Sequence, residues 1–282
     1  MKHISDTYSL HNGYHIPCIG LGTYRTTDEN DAVHAISAAV KAGYRHIDTA
    51  SAYQNETIIG KGICACGLDR RELFVTSKVW NTDRGYEKTM AAFETTMDKL
   101  KLDYLDLYLV HWPAAPHQFD NWKEINLSTW RAMTELYKSG RIKAIGVSNF
   151  LPHHLEPLME TEIQPMVNQL EFHPGYMQPE IVEYCHKNRI IVEAWSPLGA
   201  GGLLTNDTLT TIAAKHQKTV AQICIRWCLQ NGTVPLPKSI TPARIADNTN
   251  VFDFVLSDED MATINAMPYQ GRSISHPDKV DF

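Results

Sequence analysis

The sequence predicts an α/β protein of the (β/α)8 TIM-barrel class with an N-terminal β-hairpin. Strand-like segments alternate with helical stretches along the 282 residues, in about eight pairs. Several of these segments are almost wholly apolar, which is typical of parallel strands that are buried on both faces. The chain length also suits such a barrel, although a doubly wound parallel sheet is the competing architecture.

The predicted elements follow one another regularly. Strands are expected at 16–22, 45–50, 73–80, 104–112, 142–149, 166–173, 190–197 and 233–239, and the clearest helices at 28–43, 85–101 and 128–140. Ahead of the first barrel strand, Asn12-Gly13 lies between short alternating runs and predicts a hairpin with a two-residue turn. No linker rich in Pro, Gly or Ser interrupts the chain, so residues 1–282 are predicted to form a single domain.

Composition excludes several classes of function. The net charge is −6 and the isoelectric point is about 6.1, so nothing indicates a nucleic-acid or anionic-membrane partner. No apolar run approaches the roughly 20 residues that a membrane span requires. The start, MKHISDTYSL, lacks the layout of a signal peptide. We therefore expect a cytoplasmic protein.

The cysteines and the glycine-rich segments exclude other sites. The six cysteines are irregularly spaced and are expected to be free thiols. Neither close pair, Cys64 with Cys66 or Cys224 with Cys228, has a second pair or a suitably placed histidine, so no metal site is predicted. GLGTYR and GAGGLL lack the third glycine of a dinucleotide fingerprint, and GKGICA follows a helical segment rather than a strand.

Polar residues collect at the carboxyl ends of the predicted strands, where barrel enzymes carry their chemistry. Asp48 ends the second strand and Tyr53 follows in its loop, while Lys78 and His111 end the third and fourth strands. Each alone has a structural explanation, such as an ion pair or a core histidine. Together they predict an active site, because burying all four groups for structure alone would be costly.

These residues suit the reduction of a carbonyl group. When a hydride reaches a carbonyl carbon, the resulting alkoxide needs a proton, which Tyr53 could supply as a general acid. A nearby cation favours the phenolate, so Lys78 is expected to make this phenol more acidic. Asp48 would hold Lys78 by an ion pair, and His111 would orient the substrate oxygen.

The sequence resembles the aldo-keto reductase family over nearly its whole length. The matching segments occur in the family's order and are GLGTY, HIDTASAYQNE, VTSKVWN, DLYLVHWP, IGVSNF, VNQLEFHP, AWSPLGAGG and PLPKSITPARIADN. The tail, GRSISHPDKVDF, is similar to that of the bacterial branch that includes 2,5-diketo-gluconate reductases. The resemblance implies an NADPH-dependent carbonyl reductase, a monomer by default, whose catalytic tetrad is Asp48, Tyr53, Lys78 and His111.

The resemblance also implies a set of cofactor contacts. Around the nicotinamide and the pyrophosphate these are Gly22, Thr23, Ser148, Asn149, Gln169, Trp195, Ser196 and Leu198. Trp195 would stack on the nicotinamide ring, where tyrosine is commonest in the family. Lys238, Ser239 and Arg244 would surround the 2′-phosphate of NADPH, which favours NADPH over NADH. Asn248 would face the adenine beside Asp247, where the family often has glutamate.

The substrate side is expected to be aromatic. Tyr24, Trp80 and Trp112 follow strand ends and should surround the carbonyl, which suits small apolar aldehydes and ketones. Arg272 and His276 in the tail would meet a polar or anionic substrate. The family also includes NADPH-binding auxiliary subunits with little turnover, which is the alternative function. A metal-dependent hydrolase is disfavoured, because Lys78 would repel a metal ion.

Overall fold

The computed structural model describes residues 1–270, 276–280 and 282, so Arg272 lies outside the described residues. The predicted hairpin is confirmed, with antiparallel strands β1 (Thr7–Ser9) and β2 (His15–Pro17). Its loop is longer than the expected two residues, since the Leu10 amide donates to the Tyr14 carbonyl across three residues, 2.8 Å away. Gly13 has a φ of +84°, the left-handed conformation that such loops require. Residues 16 and 17, with which the first barrel strand was predicted to begin, therefore belong to the hairpin.

The expected parallel sheet is confirmed. Within the described residues it has eight strands, in the order β10-β9-β8-β7-β6-β5-β4-β3. The strands are β3 (Leu21–Gly22), β4 (His46–Asp48), β5 (Phe74–Val79), β6 (Leu105–Val110), β7 (Ile142–Ser148), β8 (Val167–Glu171), β9 (Ile191–Trp195) and β10 (Val234–Pro235). Five of these strands, β4, β5, β6, β8 and β10, are buried at every position, as the apolar runs predicted.

Helices follow each barrel strand and cover the outside of the sheet. They are α1 (Glu29–Lys41), α2 (Glu56–Ala65), α3 (Tyr86–Leu100), α4 (Trp122–Lys138), α5 (Pro152–Met159), α6 (Pro179–Lys187), α7 (Asp207–His216), α8 (Val220–Gln230), α9 (Pro242–Asp247) and α10 (Asp258–Asn265). The predicted start of α4 at residue 128 was too late, because only Asn126 is buried among residues 122–127 and no buried apolar stripe marks the first turns. None of the helices in the described residues is long and apolar enough to cross a bilayer.

The barrel closes between its first and last strands. The amides of Gly20 and Gly22 donate to the carbonyls of Pro235 and Pro237, each over 3.1 Å, and Gly22 bridges to Lys238 in parallel. A Cβ at Gly22 would lie only 3.0 Å from the Leu236 carbonyl oxygen, so this close approach requires glycine. Both strands at the seam are only two residues long.

The hairpin covers the amino end of the barrel through one buried carboxylate. Asp106, at the start of β6, accepts from the Tyr14 hydroxyl and from the Arg70 guanidinium, each over 2.6 Å. It also accepts from the Val75 amide of β5 over 2.8 Å. One side chain thus ties the hairpin, the turn before β5 and two strands together, and it is almost wholly buried.

Replacing Asp106 with Ala should destabilise the fold by about 3 kcal/mol, because the partly buried Arg70 and the Val75 amide would lose their acceptor. Urea unfolding followed by circular dichroism would measure this change. The matched control is Glu183→Ala, which breaks the exposed Glu183–Lys187 pair on α6 and should leave the unfolding midpoint unchanged. Equal midpoints for the parent and Asp106→Ala would contradict the anchoring role of Asp106.

Candidate active site

A cleft of about 1680 Å³ opens at the carboxyl rim of the barrel. It is lined by almost every residue that the sequence singled out: Gly22, Thr23, Tyr24, Asp48, Tyr53, Trp80, His111, Trp112, Ser148, Asn149, Gln169, Trp195, Ser196, Leu198, Lys238, Ser239, Arg244, Asp247 and Asn248. Two described residues that the sequence singled out do not line the cleft: Lys78, which is fully buried beneath its floor, and His276 in the tail. Residues from all eight strands meet here because parallel strands present their carboxyl ends at one rim.

Lys78 is the centre of a dense set of hydrogen bonds. Its ammonium donates to both carboxylate oxygens of Asp48, over 2.7 and 2.8 Å, and to the Thr49 carbonyl over 2.9 Å. The Tyr53 hydroxyl lies 3.4 Å from the same nitrogen. β4 and β5 are adjacent in the sheet, which places Asp48 beside Lys78, and the turn at Ser51–Tyr53 brings the phenol back over the ammonium.

Burial and charge together set the protonation states of this pair. Burial opposes the charge on Lys78, but Asp48 and Tyr53 outweigh it and raise the lysine pKa. Burial raises the pKa of Tyr53, and Lys78 opposes that rise without reversing it. The charge of Lys78 thus acts in the direction that the sequence predicted, but desolvation outweighs it, so the net pKa of Tyr53 is raised. The phenol keeps its proton at neutral pH beside a permanent positive charge.

His111 follows β6 and faces the same point. Its ring lies edge-on to Tyr53, with 5.7 Å between the ring centroids, and is nearly buried. Burial, and then the charge of Lys78, lower the pKa of His111 well below its usual value. The imidazole is therefore neutral at physiological pH, and one ring nitrogen carries a hydrogen that can be donated.

The next wall of the cleft is a chain of interlocked side chains. The Trp195 indole donates to the Asn149 amide oxygen over 3.0 Å, and the Asn149 amide donates to the Ser148 hydroxyl and to the His111 carbonyl, also over 3.0 Å. Ser148 in turn donates to the Gln169 carbonyl over 2.8 Å. The donors of Ser148 and Asn149 are thus used within the protein, and what they still offer to the cleft is lone pairs.

Gly22 and Thr23 border the cleft but also have structural tasks. Gly22 is part of the barrel seam, and the Thr23 hydroxyl donates to the Asp48 carbonyl over 2.9 Å. Asn149 and Ser196, which follow β7 and β9, have φ angles of +62° and +50°. Such left-handed conformations are uncommon in serine and turn the chain sharply at the strand ends.

Basic groups line one part of the cleft, its basic end. Lys238 and Ser239 follow β10, and Arg244 is on α9. Both cations are exposed, and in the parts of the chain that the structure describes no carboxylate forms an ion pair with either. Asn248 is buried at the end of α9, while Asp247 is exposed. This end of the cleft therefore offers unneutralised positive charge.

Aromatic rings form the opposite wall. Tyr24 lies against Tyr53 with 5.1 Å between centroids, and Trp80 lies edge-on to His111 at the same distance. Sequence reasoning missed a further member, Phe282. Its ring stacks on Trp80 at 5.6 Å and meets Trp112 edge-on at 5.5 Å. No local pattern could have indicated Phe282, since it reaches the cleft only through the path of the tail.

Comparison with known proteins agrees with this geometry. The model of the aldo/keto reductase family matches residues 18–268. The chain belongs to the aldo/keto reductase family. The glyoxal reductase of Bacillus subtilis (strain 168) is 52% identical over 280 residues, which cover 99% of each chain.

Solved structures of other reductases have the same fold. An aldo-keto reductase from a Medee basin deep-sea metagenome library is 47% identical, with a TM-score of 0.91 and coverage of 98% of this chain and 100% of that one. A Bombyx mori aldo-keto reductase, solved in complex with NADP, is 35% identical, with a TM-score of 0.88 and coverage of 96% and 95%. The predicted family and barrel fold are confirmed.

The tail of this reductase is held by histidines. The Nε2 atoms of His153 and His154 on α5 lie 3.0 and 3.1 Å from one carboxylate oxygen of Asp278, and His117 contacts the Val280 carbonyl over 2.6 Å. The two histidines and Asp278 have the grouping of metal ligands. However, the Nδ1 atom of His154 accepts from the Leu151 amide, so its Nε2 carries the hydrogen and has no free lone pair for a metal ion. This arrangement favours a strap for the tail over a metal centre.

The Asp48–Lys78 pair should show strong coupling in a double-mutant cycle. Lys78→Met leaves the Asp48 carboxylate buried without its cation and should destabilise the reductase by about 3 kcal/mol. Asp48→Asn combined with Lys78→Met should be much less harmful than the sum of the two single changes. Chemical unfolding measures the cycle. A cycle on the exposed Glu183–Lys187 pair of α6 is the control and should give a coupling of less than about 0.5 kcal/mol, and additive effects at Asp48 and Lys78 would refute the prediction.

Proposed function

We propose that the protein reduces small aldehydes and ketones to alcohols, with Tyr53 as the general acid and NADPH as the cofactor. The observation that carries the proposal is the Lys78 ammonium, which lies 3.4 Å from the Tyr53 hydroxyl and is fixed by both oxygens of Asp48 at the cleft floor. The general class of reaction, without the role of Tyr53 or the substrate, follows from membership of the family. The chain is an NADP-dependent oxidoreductase that acts on carbonyl groups, in agreement with the predicted class and cofactor.

The bound cofactor would supply a hydride to the carbonyl carbon. The protein's own task is to manage the negative charge that develops on the carbonyl oxygen. The neutral His111 donates a hydrogen bond to that oxygen and orients it, and Tyr53 then transfers its proton. The phenolate left behind lies beside the Lys78 ammonium, which stabilises it. The same groups run in reverse, with the phenolate as a base for alcohol oxidation.

The residues of the wall fit the nicotinamide end of the cofactor. Ser148 and Asn149 offer lone pairs, which suit the N–H groups of a carboxamide. The indole of Trp195 is fixed by its hydrogen bond to Asn149 and can stack on the ring. We assign Gly22 and Thr23 to the same end, and Ser196 and Leu198 to the pyrophosphate, because all four line the cleft and lie in segments that match the family.

The basic end fits a phosphate. Lys238 and Arg244 are cations without a carboxylate partner in the described residues, and the hydroxyl of Ser239 lies between them in sequence. A dianionic 2′-phosphate would use an ammonium, a hydroxyl and a guanidinium in this way. Asn248 would lie against the adenine. This assignment is the reason for proposing a preference for NADPH over NADH.

The substrate wall limits the substrate to small molecules with an apolar side. Tyr24, Trp80 and Trp112 surround the proposed carbonyl position, and Phe282 narrows the opening further. A half-closed aromatic pocket suits short aldehydes and ketones. Glyoxal is the first compound to test, because the relative of that name is 52% identical.

We also propose that the reductase acts as a monomer in the cytoplasm. A monomer is the default state that the family resemblance implies. All six cysteines are free thiols, which suits a reducing compartment. The alternative, a binding subunit with little turnover, predicts no steady-state oxidation of NADPH with any carbonyl compound, and the assay below distinguishes the two.

Tyr53→Phe should lower kcat/KM for glyoxal by roughly 10²- to 10⁴-fold, because the variant lacks the proton donor. The affinity for NADPH should be unchanged, as measured by fluorescence titration. Tyr184→Phe, which removes a phenol from the outer helix α6, is the control and should behave like the parent. A Tyr53→Phe variant that turns over at the parental rate would disprove the role of the tyrosine.

Lys238→Ala and Arg244→Ala should each raise KM for NADPH by roughly tenfold or more, because a charge-assisted contact to the phosphate is lost. KM for NADH should change little, since NADH has no 2′-phosphate. Lys187→Ala removes an exposed cation from α6 and controls for net charge. Equal changes in KM for both cofactors would count against the assignment of a phosphate site.

A further inference from the structure

A buried carboxyl group that the mechanism does not use lies behind the tetrad. Glu193 on β9 is fully buried, and one of its oxygens accepts from the Gln169 amide nitrogen over 2.8 Å. The same nitrogen donates to Asp48 over 2.9 Å. A single amide group thus bridges the carboxylate that holds Lys78 and a second carboxyl group.

This bridge fixes the orientation of Gln169. Both oxygens of Asp48 accept from the Lys78 ammonium, so the group of Gln169 that faces this carboxylate must be a donor. Both hydrogens of the amide are then used, one by Asp48 and one by Glu193. The remaining group of the side chain, its carbonyl oxygen, is the part of Gln169 available to a ligand in the cleft.

The surroundings of Glu193 favour its neutral form. Its other oxygen has no hydrogen-bond partner among the described residues, and the nearest ring, His46, is 3.6 Å away. His46 is itself neutral, because burial and Lys78 lower its pKa to about 3. Burial and then Asp48 raise the pKa of Glu193 to about 8, while the hydrogen bond from Gln169 and the charge of Lys78 oppose the rise.

We propose that Glu193 is a positioning residue of the reaction, which as a neutral carboxyl group holds the amide of Gln169 and keeps a second negative charge away from Asp48. Loss of its proton adds an anion next to the Asp48–Lys78 pair. That anion opposes the formation of a phenolate at Tyr53, so reduction becomes slower. The inference rests on the proposed role of Tyr53 and adds a second titrating group to it.

One test needs no turnover. A native-state pKa above the unfolded value means that the protonated carboxyl group stabilises the fold below about pH 4.5, and that this contribution is lost as the pH rises through about 8. Glu193→Gln keeps the shape of the neutral acid but cannot ionise. The melting temperature of this variant minus that of the parent should therefore increase by about 3 °C or more between pH 5 and pH 9. A difference that is constant with pH would overturn the inference.

The second test is kinetic. The single-turnover rate of NADPH oxidation with glyoxal should fall in the parent by about threefold or more as the pH passes 8, and Glu193→Gln should lose this step. Glu171→Gln, a buried carboxyl group on β8 that contacts His173, is the matched control and should keep the parental profile. Glu193→Met gives a second non-ionising variant if Glu193→Gln folds poorly. Superimposable profiles for the parent and the Glu193 variants would refute the proposal.

The two proposals fail in different ways. An active Tyr53→Phe variant removes the proposed function but leaves the melting experiment on Glu193 intact. An inactive Tyr53→Phe variant, with pH profiles that do not depend on residue 193, removes only the role of Glu193.

Discussion

The ammonium of Lys78 inside the barrel is the constraint on which the site depends. Moving an isolated cation of this size out of water costs several kcal/mol even after relaxation. Here two carboxylate oxygens and a backbone carbonyl replace the lost water within 2.9 Å. Those partners come from the end of β4, so the register between β4 and β5 must be kept for the charge to be tolerated. The geometry of the proposed chemistry and the integrity of the core therefore depend on one contact.

Most of the fold could be predicted from the sequence, because buried parallel strands appear as continuous apolar runs. Continuous apolar runs separated by amphipathic helices give the barrel, and the rule that function lies at strand ends predicted that Asp48, Lys78 and His111 meet at one site. Asp48 and His111 line the cleft, and Lys78 lies beneath its floor. The limits of single elements were less predictable. Residues 16 and 17 were predicted to begin the first barrel strand, but they pair with β1 in the hairpin. Strand pairing depends on tertiary contacts, which the local sequence pattern does not specify.

The sequence analysis considered only residues at strand ends, so it did not identify Glu193, which is buried behind the cleft. Glu193 lies inside a strand, two residues before Trp195, and its partner Gln169 belongs to the neighbouring strand. A glutamate within an apolar strand can be noticed in the sequence. Its hydrogen bond to Gln169, however, depends on the register between β8 and β9, which the sequence does not give. Phe282 was missed for a different reason, because the tail reaches Trp80 through contacts of Asp278 and Val280 with distant histidines. The net pKa of Tyr53 is raised because the phenol is buried, and the sequence does not show how deeply a side chain is buried.

The seam between β3 and β10 affects how easily the barrel opens transiently. Two strands of two residues each, with few hydrogen bonds between them, make this the place where transient opening should need the least free energy. Gly22 borders the cleft on one side of the seam and Lys238 on the other. A molecule that occupies the whole cleft would contact both sides of the seam. Its binding would therefore hold β3 and β10 together and oppose opening of the barrel.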